Sequence, residues 1–282
     1  MWRTDEAGVD ELFKFLSSSL GGKIMASGNA SVFLMYHELE MPGRVLCQSE
    51  PGYVRYVLAV DEFARQMQQM SELGLCGVSV SDALKFTGRT VAITFDDGCE
   101  TDLLSAAPIL KTHNFGATFF VVSGFVSKPG YLSQSQVREL ATLGFEIGCH
   151  SMTHPYLPDL DDAGLRHEIV EAKNVLEQML GKPVQHFSCP GGRYDSRAMQ
   201  LAKNAGFVTV STSVPRANTA ETNKLSLNRV AIMRGMKAPE FKQLCRGESL
   251  WKLGLRNEAR NRVKRLLGNA IYDRLRSSLL DR

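Results

Sequence analysis

Two adjacent acids, Asp96 and Asp97, end the apolar run Val91-Ala92-Ile93-Thr94-Phe95 and are followed at once by Gly98. A strand alternates its side chains between two faces, so neighbouring acids share a direction only where the chain turns, and Gly98 supplies the freedom to turn. Core packing gives no reason to end a buried strand this way, although an Asp-Asp-Gly turn without chemistry is the alternative. Further along, a second apolar stretch, Phe145-Glu146-Ile147-Gly148-Cys149, runs into His150-Ser151-Met152-Thr153-His154-Pro155. Carboxylates and imidazoles are the groups of acid–base catalysis and also ligands for a divalent cation. The His-x-x-x-His spacing suits one helical face, yet Pro155 drives the residue before it toward extended backbone and no Glu follows His150. A loop site is therefore expected rather than a metalloprotease helix. Taken alone, two nearby histidines are more often solvated or capping residues than ligands; the link between the motifs is that each stands at the end of a strand-like segment.

The elements that must position these residues follow from periodicity. Predicted strands at Val32 to His37, Thr90 to Phe95, Ala117 to Val121, Phe145 to Cys149, His186 to Cys189 and Phe207 to Ser211 alternate with helical patterns. The helices fall at Asp61 to Leu73, Asp102 to His113, Gln134 to Leu143, Asp161 to Leu180 and Ser196 to Asn204. Such alternation argues for a mainly parallel sheet wrapped by helices, in which ligands bind at the carboxyl ends of the strands. The pattern does not separate an open sheet from a barrel. Ser133 before Gln134-Ser135-Gln136 marks a helix start, and Gly144, Gly181 and Gly206 stand where helices should stop. At 282 residues and 44% hydrophobic content, the chain is large enough for one domain with a sizeable core.

Four ordered segments carry a family resemblance: Thr94-Phe95-Asp96-Asp97-Gly98; His150-Ser151-Met152-Thr153-His154-Pro155; Ala117-Thr118-Phe119-Phe120-Val121; and Phe187-Ser188-Cys189-Pro190-Gly191-Gly192. Together they resemble the NodB homology domain of the polysaccharide deacetylases, carbohydrate esterase family 4, over roughly Val32 to Ile232. The resemblance implies an α/β fold, an irregular, incomplete (β/α) barrel. It also implies Asp97, His150 and His154 as ligands of a divalent metal, zinc ahead of other transition metals, with Asp96 as the general base. One carboxylate and two imidazoles would leave coordination positions open, the arrangement of a catalytic site.

The sequence departs from the family pattern in two places. The third motif usually has an Arg two residues before its Pro, bracing the base, and a Tyr after the Pro; here Ser188 and Gly191 hold those positions. Gly191 can still offer an oxyanion-binding N–H. Arg193 is near enough in sequence to replace the brace, or is a plain surface arginine. The late Leu-x-His motif that usually provides the general acid is also missing, since Leu225 to Ile232 holds no His and none follows His186. His37, at the end of its strand-like run, is the candidate donor; a structural, hydrogen-bonded His is the alternative. Arg229 is a candidate for substrate anions or oxyanion charge but a poor proton donor. His113, His167 and His186 are expected to be structural.

The implied activity is removal of N-acetyl groups from an amino sugar in a polysaccharide or lipid-linked glycan precursor. The same site would serve an esterase or amidase acting on another acylated small molecule. The absent late His leaves open a glycan-binding module without hydrolysis, against which intact Asp96, Asp97, His150 and His154 speak.

Outside the motifs, no run approaches the roughly 20 apolar residues of a membrane span. Asp5, Glu6, Asp10 and Glu11 make the amino terminus too acidic for a secretory signal, so cytoplasmic residence is expected. The six cysteines are scattered without a Cys-x-x-Cys pair, which suits reduced, mostly buried thiols. Residues 1–29 read as a lead, 30–235 as the domain and 236–282 as a basic amphipathic helical tail. From Lys252 to Arg282 nine basic residues face three acids, a net of +6, so the remainder of the +3 chain carries −3. Such a tail either docks on the domain or meets a membrane surface or membrane-bound synthase; nucleic acid is not expected.

Overall fold

A computed structural model describes residues 30–85, 88–248, 250 and 253–255. The expected lead, and the tail from residue 256 onward, lie outside the described residues. No helix among those described is long and apolar enough to cross a membrane.

Every ladder between the described strands is parallel. In chain order the strands are β1 Val32–Tyr36, β2 Leu39–Glu40, β3 Leu58–Ala59, β4 Gly77–Val78, β5 Val91–Phe95, β6 Thr118–Val121, β7 Glu146–Cys149, β8 His186–Ser188, β9 Thr209–Ser211 and β10 Val230–Ala231. Eight of them form one curled sheet in the order β10-β1-β5-β6-β7-β8-β9. β4 shares an edge of β5 with β6: Gly77 and Val78 pair with Val91 and Ala92, and Thr118 and Phe119 take over at Thr94 and Phe95. The segment from Leu227 to Ala231 spans the two sheet edges, bridging Leu227 to Ser211 and pairing Val230 with Leu34. This is the irregular barrel that the family resemblance implies.

β1 and β5 are buried along their whole length, as expected for parallel strands covered on both faces. Alternation sorts their side chains. Val32, Leu34, Tyr36, Val91, Ile93 and Phe95 join the large core beneath the helices, whereas Phe33, Ala92, Phe120 and Leu227 form a separate cluster inside the curl. The helix Val60–Glu72 buries Phe63, Gln66, Met67 and Met70 at helical spacing, and Gln66 Oε1 accepts a hydrogen bond from Tyr36 Oη at 2.8 Å.

Helix signals in the sequence act as expected. Ser133 and Gln136 form a reciprocal capping box ahead of Gln134–Thr142. Gly181 ends Ala172–Leu180 in the left-handed conformation at φ 64°. The strands that periodicity misses, β2, β3, β4 and β10, are two residues each, too short to show a period. The helix Ala238–Cys245 falls within the span expected as a helical tail. It packs on Val60–Glu72 with Phe241, Leu244 and Cys245 buried, so the domain core continues past residue 235.

Gly148 of β7 has the interior of the curl directly over it: a Cβ there would lie 2.6 Å from Phe120 Cε1 and 3.2 Å from the His186 carbonyl oxygen. Neither the buried ring nor the strand backbone can yield cheaply. Gly148→Ala should therefore destabilise the fold by about 1–3 kcal/mol, read as a lowered denaturant midpoint with an unchanged slope.

Candidate functional site

β5 carries Asp96 and Asp97 to the rim. Asp96 N–H still donates to the Tyr36 carbonyl at 3.0 Å, so this residue continues the strand and projects inward. The turn then begins at Asp97 itself, with φ 82°, and continues through Gly98, with φ 76°. It therefore starts one residue earlier than glycine alone suggests, and on a residue type that adopts this backbone at a cost. The result is that Asp97 Oδ1 lies 3.6 Å from His150 Nε2 and 3.5 Å from His154 Nε2.

The two histidines come from a loop, as expected, although His154 before Pro155 is left-handed and not extended. His150 follows β7 on its inner face and is buried. Its Nδ1 lies 2.8 Å from the Ser188 carbonyl oxygen, which can only accept, so Nδ1 carries the proton and Nε2 turns its lone pair toward Asp97. Burial lowers the His150 pKa to about 4 against the opposing pull of Asp96, which keeps the ring in its neutral, ligating form. Beyond it, Ser151 and His154 adopt φ 69° and 66°. Glu168 holds this strained loop by accepting from Met152 N–H at 2.9 Å, Thr153 N–H at 2.8 Å and Thr153 Oγ1 at 2.6 Å. The sequence reading overlooks Glu168. It lies on the stripe of Leu165, Ile169, Ala172 and Leu176, and an acid on the buried face of a helix is the signal that could have found it.

Asp96 is 2% exposed and bound end-on by a guanidinium. Arg229 Nη1 donates to Oδ1 at 2.7 Å and Nη2 to Oδ2 at 2.8 Å. Ser188 Oγ accepts from Nη2 at 2.6 Å and donates to Asp96 Oδ2 at 3.2 Å. Arg229 also reaches Thr94 Oγ1 and the Thr212 carbonyl oxygen. Burial alone would raise the Asp96 pKa, but the charge and hydrogen bonds of Arg229, together with His150, hold it well below the usual carboxylate range. Two expectations change here. Arg229 is fully buried and engaged, so it braces the Asp96 carboxylate and is closed to substrate anions. Arg193 does not supply that brace: its guanidinium carbon sits 3.8 Å from the Tyr156 ring centroid.

Gly191 adopts φ 59°, and a Cβ on it would lie 2.7 Å from Tyr156 Cε1. The Tyr156 ring thus fills the space over the position where a motif Tyr would otherwise begin. The turn's own bonds are donated by Gly192 N–H and Arg193 N–H, which leaves the Gly191 N–H outside them. His37 directly follows β1 and stacks at 5.0 Å on Tyr56, with its buried Nδ1 unpartnered among the described residues. Burial lowers its pKa, while Asp97 and Asp96 act in the opposite direction, placing His37 within the field of the site.

The ligand atoms of Asp97, His150 and His154 lie within 4.8 Å of one another. With His150 fixed in one tautomer and a carboxylate between two imidazoles, this donor set fits a divalent cation.

Parts of the chain are similar to known proteins. Residues 83–210 match the polysaccharide deacetylase family model. A peptidoglycan-N-acetylglucosamine deacetylase of Bacillus cereus is 33% identical over 123 residues, covering 43% of this chain and 55% of that protein. A chitooligosaccharide deacetylase of Azorhizobium caulinodans is 32% identical over 127 residues, covering 44% and 59%. The chain thus spans little more than half the length of these curated relatives. The solved Streptococcus pyogenes deacetylase PplD in complex with acetate matches with a TM-score of 0.69 at 24% identity, over 78% of this chain and 99% of that one. That likeness speaks for the fold.

The Asp96–Arg229 pair can be tested directly. Arg229→Met leaves a buried carboxylate without its counter-charge and should cost about 3–5 kcal/mol in denaturant unfolding. Asp96→Asn added to that variant should recover part of the loss, giving a favourable coupling in the double-mutant cycle. Strict additivity would mean that the two side chains do not stabilise each other.

Proposed function

From its similarity to the polysaccharide deacetylase family over residues 83–210, we propose that this chain is a metal-dependent hydrolase that removes N-acetyl groups from amino sugars of a glycan. The observation that carries this reading is the convergence of Asp97, His150 and His154 beside a buried, arginine-bound Asp96. Asp97 Oδ1, His150 Nε2 and His154 Nε2 would hold the cation, which when bound supplies Lewis acidity and a water of lowered pKa.

The rest of the work falls to the chain's own side chains. Asp96 is held ionised by Arg229, and its Oδ1, which accepts a single hydrogen bond, keeps a lone pair to take a proton. The Gly191 N–H is the candidate donor to an oxyanion developing on the acyl group. His37 is the candidate that returns a proton to the leaving nitrogen. Tyr156 is 40% exposed and follows His154 by two residues, offering an aromatic surface against which a pyranose ring can pack. Acetylated chitooligosaccharides and peptidoglycan glycan strands share the required group, an acetamido sugar, and are the substrates to try first.

Acetate release from acetylated chitooligosaccharides, abolished by a chelator and restored by zinc, tests the reading. Glycan binding without release would return the protein to a recognition module, and release only from simple aryl esters would favour a different acylated substrate. Asp97→Ala, His150→Ala and His154→Ala should each lower bound metal. Asp96→Asn should retain metal and lose turnover by about 10²–10⁴-fold. His37→Gln should slow amide hydrolysis by a similar order and spare an activated aryl ester, whose leaving group needs little protonation. Equal losses on both substrates would assign His37 to positioning.

A further inference from the structure

Apart from the metal site, the described residues bring Cys47 Sγ, Cys99 Sγ and a Glu38 carboxylate oxygen within 4.8 Å of one another. Glu38 is already engaged. Its oxygens accept from Arg44 Nη1 at 2.8 Å, Tyr53 Oη at 3.0 Å and Cys47 N–H at 2.9 Å, and the adjacent arginine opposes a second cation. The sulfurs are differently placed. They lie 3.5 Å apart although 52 positions separate them in the chain. Cys99 is fully buried just past the Asp97-Gly98 turn, whereas Cys47 is half-buried in the segment 41–50, which holds no helix or strand.

We propose that Cys47 and Cys99 are a modification site, a dithiol that a small-molecule disulfide converts to an intramolecular disulfide tying the 41–50 segment to the turn that bears Asp97. A disulfide bond is about 2.05 Å long, so the sulfurs must close by about 1.5 Å, a movement available to the irregular segment around Cys47. Cys47, the accessible thiol, attacks the small disulfide, forming a mixed disulfide and releasing one small thiol. The neighbouring Cys99 sulfur then attacks Cys47 Sγ, and the second small thiol leaves. The two cysteines lose two electrons and two protons, and the small disulfide gains both. The thiol of Cys47 gives up only its contact with the Gly130 carbonyl oxygen, at 3.1 Å, which Arg44 Nη2 and Glu100 N–H continue to satisfy.

The exposed Cys76 would form mixed adducts, so the test uses the full chain carrying Cys76→Ser. Five thiols then remain of the original six. After incubation with oxidised glutathione and alkylation of the unfolded protein, three should be counted. Peptide mass spectrometry should show Cys47 joined to Cys99, dithiothreitol should undo the link, and the thermal midpoint should rise on oxidation. Adding Cys47→Ser, a change at a half-buried position compatible with folding, should abolish the link and the rise together. A glutathione adduct stable on Cys47, or no reaction at either thiol, would overturn the proposal. So would protection of both thiols by zinc retained through desalting, the result that a Glu38–Cys47–Cys99 metal site would give.

Discussion

The buried Asp96 carboxylate is the constraint on which the architecture turns. An ionised acid at 2% exposure is costly unless a counter-charge with matching hydrogen bonds accompanies it. Here the partner, Arg229, comes from the segment that spans the two edges of the sheet, between the bridge at Leu227 and the pairing at Val230. Closing the curl and neutralising Asp96 are therefore one event in the fold. Ser188 of β8 completes the clamp, so strands distant in sequence contribute to a single ion pair.

The interior of the curl holds a polar network as well as an apolar cluster. At the amino ends of β6, β7 and β8, Glu146 accepts from Thr118 Oγ1 at 2.6 Å and faces His186, which also reaches Ser81 and Thr209. Burial would raise the Glu146 pKa, but hydrogen bonding and charge from His186 bring it down to about 2. Phe33, Ala92, Phe120 and Leu227 belong to the apolar cluster. Phe120 also faces the ion pair, since the Arg229 guanidinium carbon lies 5.3 Å from its ring centroid.

The sequence displays local signals well and long-range ones poorly. Strand ends at Phe95 and Cys149, the capping box at Ser133 and the loop character of His150 to His154 all rest on a few adjacent residues, and all were legible. Sequence proximity could offer only Arg193 as a possible brace on Asp96, beside the reading of a plain surface arginine, whereas the partner that meets the acid is 133 positions away. Cys47 and Cys99 look scattered for the same reason. The two-residue strands escaped because a period cannot be read from so few residues. Glu168 carried a readable signal, an acid on an apolar helix stripe, but only its partners explain it.

What looked like loss in the third motif is redistribution of groups in space. Ser188 is too short to brace Asp96, yet its hydroxyl links the acid to a guanidinium arriving from β10's side of the sheet. Gly191 has no ring, yet the Tyr156 ring occupies the volume above it and is backed by Arg193. Either exchange works only with its complement, because a longer side chain at Gly191 would collide with Tyr156 and an arginine at Ser188 would compete with Arg229 for one carboxylate. A buried carboxylate asks for a counter-charge with matching hydrogen bonds. It places no demand on which stretch of chain supplies them, and for that reason the motif's letters are a weaker guide to this site than the geometry around Asp96.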